Sequence, residues 1–144
     1  MSIETYTVYP SNKHNRPSPP SRVILHGLDR IGTSIQIRNH RFFHAPKDAT
    51  LTLDHLVKQL TSSLAEALEL YPPVAGAIES DEKGSIYSLM GPEHNAGTPF
   101  LVEKKSTAYQ GDTEDMGPRQ DVILPETASI LAVKVTQVTE TQTI

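Results

Sequence analysis

The chain has 144 residues, 37% apolar and 21% charged, an ordinary globular composition that suits about one domain. Its net charge of −4 argues against a phosphate-binding surface, so no nucleic-acid partner is expected. The absence of Cys excludes a disulfide scaffold, a Cys-ligated zinc and a thiol nucleophile. Residues 1–10 have neither an apolar core nor a basic cluster, so they do not read as a signal peptide. No stretch approaches the ~18 apolar residues of a membrane span. A cytoplasmic protein with no membrane partner is expected.

Residues 9–22 carry Pro10, Pro17, Pro19 and Pro20, which remove backbone donors and exclude a helix or a central strand. Residues 1–22 are therefore expected to be an extended lead-in over the surface; a basic contact arm using Lys13, Arg16 and Arg22 is the alternative. A short β-prone run, Val23 to Leu25, is followed by a turn-like cluster, His26 to Asp29. Residues 33–44 alternate as a strand. One face carries Ile35, Ile37, Asn39, Arg41 and Phe43. Asn39 and Arg41 thus continue an apolar face, which fits either the frayed edge of a sheet or the lining of a polar cavity.

The spacing predicts a helix over residues 53–70. Leu53, Val57, Leu60, Leu64, Leu68 and Tyr71 recur at steps of three and four, placing a core stripe on one side. Thr52 is its expected cap, and Leu51 and Leu56 a staple around it. Pro72 ends it by excluding Tyr71 from the helical region. Lys58, Gln59, Ser62, Glu66 and Glu69 form the expected solvated face. Strands are expected over 74–79 and 84–90, joined by a hairpin turn at 80–84, with a further strand over 99–103. Residues 107–125 read as an exposed acidic loop. Residues 128–138 are apolar on both faces, which predicts an interior strand.

His44 to Asp48 spells a literal His-x-x-x-Asp, but it lies between a strand and the first long helix and reads as a loop. The remaining histidines have no metal-ligand spacing, and there is no phosphate loop or nucleophile elbow.

The order of these pieces resembles the first part of the BAHD acyl-CoA-dependent acyltransferases. The matching residues are Leu25-His26-Gly27-Leu28-Asp29, the aromatic pair Phe42-Phe43, and Leu60-Thr61-Ser62-Ser63-Leu64 running into Tyr71-Pro72-Pro73-Val74-Ala75-Gly76-Ala77. Gly97 to Glu103 (Gly-Thr-Pro-Phe-Leu-Val-Glu) and Leu131 to Thr136 complete the series. Ala77 departs from it, because the family usually has Arg there.

The resemblance implies an α+β fold: a mixed sheet with one long helix packed on it, part of a chloramphenicol-acetyltransferase-like domain. Residues 23–144 would be an incomplete N-terminal portion of that domain. It implies acyl transfer from acyl-CoA, a co-substrate and not a tightly bound cofactor, to a small-molecule hydroxyl or amine acceptor in specialised metabolism. The family's catalytic His-x-x-x-Asp would follow the strand at 131–136, and its C-terminal domain would be the missing partner. The chain alone is therefore expected to be inactive, with no catalytic, metal or cofactor residue of its own. In the family, the strand before the aromatic pair borders the acceptor channel, so the resemblance favours the cavity reading and acceptor contact for Asn39 and Arg41. The alternative is a non-catalytic α+β binding or interaction protein.

Overall fold

Eighteen consecutive residues without Pro or Gly, Leu53–Leu70, form the long helix α2. Thr52 caps it: its Oγ1 accepts from the His55 amide at 3.3 Å, and Asp54 adds a negative charge to the first turn. The helix ends at Tyr71, as Pro72 requires. The computed structural model describes residues 3–32, 39, 41–43, 52–94, 97–108 and 130–139.

The other elements, in chain order, are β1 (Ile3–Val8), β2 (Arg22–Ile24), α1 (Leu28–Gly32), α3 (Pro72–Ala75), β3 (Ala77–Ser80), β4 (Ile86–Leu89), a 3-10 turn (Pro92–His94), β5 (Thr98–Ala108) and β6 (Val133–Thr139). They build two three-stranded sheets, in the orders β1-β5-β6 and β2-β4-β3. The pairing is antiparallel except between β5 and β6, which run parallel. The architecture is α+β, with mixed strand directions and one long helix.

The core forms where α2 meets one face of the first sheet. Val8, Val57, Leu68, Ala75, Phe100 and Val102 are buried together, with Leu53, Leu64, Val133 and Val135 packed against them. The alternation of a strand puts Phe100 and Val102 on this side and Leu101 and Glu103 on the other. In the register, Val133 stands beside Phe100 and Val135 beside Val102, so β6 extends the same apolar surface.

The hairpin expected at 80–84 joins β3 to β4. Gly84 takes φ +77°, where a side chain would be strained, and its amide donates to the Asp81 carbonyl. The Asp81 carboxylate accepts from the amides of Lys83 and Ser85 and from the Tyr87 hydroxyl. These bonds, led by Ser85, hold its carboxyl below the usual aspartate value against the opposing effect of burial.

The structure differs from the sequence reading at several points. Residues 72–75 form a helical turn where a strand is expected from Val74. Prolines fit the first helical positions, whose amides would have no partner in the helix. Within the proposed lead-in, Ile3–Val8 is a strand, paired along its length with β5. Its polar residues fall on both faces and only Val8 is buried, so the pattern carries no burial signal. The turn-like cluster at His26 to Asp29 leads into α1.

In the strand expected over 33–44, the described residues Asn39, Arg41, Phe42 and Phe43 have irregular backbone and are exposed. Alternation is not enough for a strand; it needs a hydrogen-bonded neighbour, and no described strand pairs with these residues. Within the stripe of α2, Leu60 is 44% exposed and Tyr71 66%. Leu60 lies at the margin of the arc through Val57, Leu64 and Leu68, and Tyr71 lies past the helix end. Among the described strands β6 is an edge and β5 is central. Residues apolar on both faces report covering of those faces, not the number of paired neighbours. Leu51, the His44 to Asp48 string and most of the acidic loop lie outside the described residues.

Candidate functional site

The last turn of α2 carries Glu69, which the helical pattern assigns to the solvated face. It is buried, because the segment between β1 and β2 crosses it. Ser11 starts this crossing, its amide donating to the Ala65 carbonyl at 2.9 Å. A turn follows over residues 12–15, closed by the Asn15 amide on the Asn12 carbonyl. Asn15 sits at φ 49°, in the left-handed region that Asn tolerates better than most residues.

The turn aims two backbone amides at one carboxylate. Glu69 Oε1 accepts from the His14 amide at 2.9 Å, and Oε2 from the Lys13 amide at 3.1 Å. The Ser11 hydroxyl donates to Oε2 at 2.5 Å. Foremost the Ser11 hydroxyl, then the His14 and Lys13 amides, hold the Glu69 carboxyl below its usual value although burial pushes the other way. One turn back on the helix, the exposed Lys13 pairs with the half-buried Glu66.

Beyond this clasp the prolines pass over a cleft of about 310 Å³. Arg16, Pro17 and Pro19 wall it on the strap side; Leu68, Pro72 and Met90 lie on the other. Gly76 and Gly91 also border it. A Cβ on Gly76 would fall 1.9 Å from the Leu89 carbonyl oxygen, so the passage from α3 into β3 admits no side chain there. This gives a physical reason for the glycine in the Tyr71 to Ala77 motif.

A second polar group occupies the face of the first sheet turned away from α2. Lys134 Nζ on β6 lies 2.8 Å from Glu103 Oε2 on β5, with side chains only 5% and 2% exposed. The contact is an ion pair, and among the described residues the Thr136 hydroxyl beside it is buried without a hydrogen-bond partner. Lys105 is also buried, two residues along β5. The signal in the sequence was a charge set inside each apolar run, Phe100-Leu101-Val102-Glu103 and Val133-Lys134-Val135. For Glu69 the only hint was the acid-free, basic character of the strap it holds.

Asn39 and Arg41, the residues expected to meet an acceptor, are exposed and do not line the cleft. The Glu69 carboxylate is committed to three donors, and Glu103 and Lys134 are buried against each other. Neither group is arranged as an accessible general base. Among the described residues no three His, Asp or Glu side chains converge as a metal site, and no helix is long and apolar enough to cross a membrane. Comparison with known proteins finds no matching family model and no matching curated protein.

Proposed function

We propose that the chain is the N-terminal portion of an acyl-CoA-dependent acyltransferase of the BAHD type, built on part of a chloramphenicol-acetyltransferase-like domain. One observation carries this reading. Three separate stretches that bear the resemblance meet in a single core: Leu64 and Leu68 of α2, Phe100 and Val102 of β5, and Val133 and Val135 of β6. The helix, the Gly-x-x-Phe-x-Val-Glu strand and the strand that would lead to the catalytic motif thus pack as one unit.

In the complete enzyme a base would take the proton of a hydroxyl or amine acceptor. The acceptor's oxygen or nitrogen would then form a bond to the thioester carbonyl carbon, and the CoA thiolate would leave. On this reading the base follows β6, which is braced between α2 on one face and the Glu103–Lys134 pair on the other. Asn39 and Arg41 would orient the acceptor without taking its proton.

Reading the coding sequence beyond codon 144 tests the proposal most directly. A His-x-x-x-Asp a few residues on is the expected result. A stop codon in an intact transcript would instead favour a non-catalytic binding protein. The purified 144-residue chain should release no CoA from acyl-CoA with alcohols or amines; turnover abolished by His44→Ala would overturn this.

A further inference from the structure

Residues 10–20 are held to the body in an uneven way. At one end, Ser11, Lys13 and His14 converge on Glu69, with Ser11 also bonded to Ala65. At the other end, the Ser21 carbonyl accepts from the Met90 amide at 2.9 Å. Between them, among the described residues, no hydrogen bond joins residues 16–20 to the rest of the chain. Three of those five are proline and have no amide to give. Below them lie the buried side chains of Leu68, Ala75 and Met90, which line the cleft or border it.

We infer that residues 10–20 are a strap that opens locally over this cleft, with the Glu69 carboxylate as its main latch. The argument is one of distribution. A segment fixed at many points opens only with the whole fold; one fixed at a single cluster opens when that cluster is lost. The clasp has the strength to keep the strap closed, since hydrogen bonds to a charged acceptor are the stronger class. Its removal costs the strap the three bonds to Glu69 and leaves only the Ser11 amide on the Ala65 carbonyl and the Lys13–Glu66 pair before Ser21, while the core between α2 and the first sheet is untouched. Opening exposes the apolar cleft floor and leaves β1 and β2 paired with β5 and β4. The inference stands apart from the acyl-transfer reading and survives if that reading fails.

Trypsin reads the latch directly. The Lys13–His14 bond lies inside the clasp, and Glu69 accepts from the amides of both residues that flank it. The Arg16–Pro17 bond resists trypsin because proline follows, so Lys13 is the reporter. Limited proteolysis of the native chain should cut slowly at Lys13. In Glu69→Ala the cut should be faster by at least about tenfold, since cleavage follows the population of the open form. Cleavage after Lys58 in α2 and Lys83 in the hairpin should stay at the native rate. Ser11→Ala, which removes one donor and leaves the carboxylate in place, should give a smaller increase confined to Lys13, and it decides the matter if Glu69→Ala fails to fold. Glu66→Ala removes only the partly exposed ion pair and should change the rate much less than Glu69→Ala. An unchanged rate at Lys13 in both Glu69→Ala and Ser11→Ala would overturn the latch. Rates rising together at Lys13, Lys58 and Lys83 in Ser11→Ala would overturn local opening, because the strap would then move only with the fold.

Discussion

The two faces of β5 are built from alternating residues of one strand, yet they are stabilised in different ways. Phe100 and Val102 turn towards α2 and gain by leaving water. Leu101, Glu103 and Lys105 turn the other way, and there the chain buries charge. An apolar face tolerates exchange of one hydrocarbon for another of similar volume. A face with a buried ion pair does not tolerate loss of either partner, because the survivor remains a charge without water. The faces therefore differ less in how much each residue matters than in what can replace it.

The largest effects should come from removing one member of each system. Phe100→Ala should cost ~3–5 kcal/mol in denaturant unfolding, and Lys134→Met a similar ~3–5 kcal/mol. The rescue separates the two faces. Adding Glu103→Leu to Lys134→Met should recover most of the loss, since an apolar pair of similar volume often matches or exceeds a buried ion pair. No recovery in the double variant would mean that the pair is more than an electrostatic compensation.

Next in size is a contrast along α2. Leu68→Ala should cost ~2–5 kcal/mol. Leu60→Ala, at the margin of the stripe, should cost under ~1 kcal/mol because much of its surface is already in water. Equal losses would show that the helix buries a broader arc than the structure assigns it. Gly76→Ala should cost ~1–3 kcal/mol, because the new methyl meets a backbone carbonyl and the chain must shift. An unchanged unfolding midpoint would show that the α3-to-β3 passage has slack.

The smallest effect concerns pH. Asp81 and Glu69 both have carboxyls held below their ordinary values of 3.8 and 4.5. A depressed carboxyl stabilises the fold fully above its unfolded value. That contribution fades as pH falls through the folded value. The native chain should therefore lose stability on acidification below about pH 4.5. Asp81→Asn should flatten the part of that slope due to the hairpin. An identical slope in the variant would show that the Asp81 hydrogen bonds do not couple protonation to folding.

The sequence and the structure agree most closely where a single element carries its own signal. The helix spacing, Thr52 and Pro72 mark both ends of α2 without reference to any other part of the chain. The hairpin between β3 and β4 is equally local, resting on Asp81 and Gly84. Agreement fails where a partner is needed. Asn39 and Arg41 continue one face of an alternating run but have no described strand beside them. The polar pattern of β1 conceals a strand that β5 alone makes evident.

Periodicity and turn chemistry settled the extent of α2, the reversal between β3 and β4, and which residues of α2 could form a core, because those depend on neighbours a few positions away. They could not settle which strand becomes central, that Glu69 would be covered, or that Glu103 and Lys134 would meet. Ser11 and Glu69 are separated by 58 positions, and their contact exists only once the strap lies across α2. Burial of a charge is a property of the surroundings, and in this chain those surroundings come from distant segments that the local pattern does not encode.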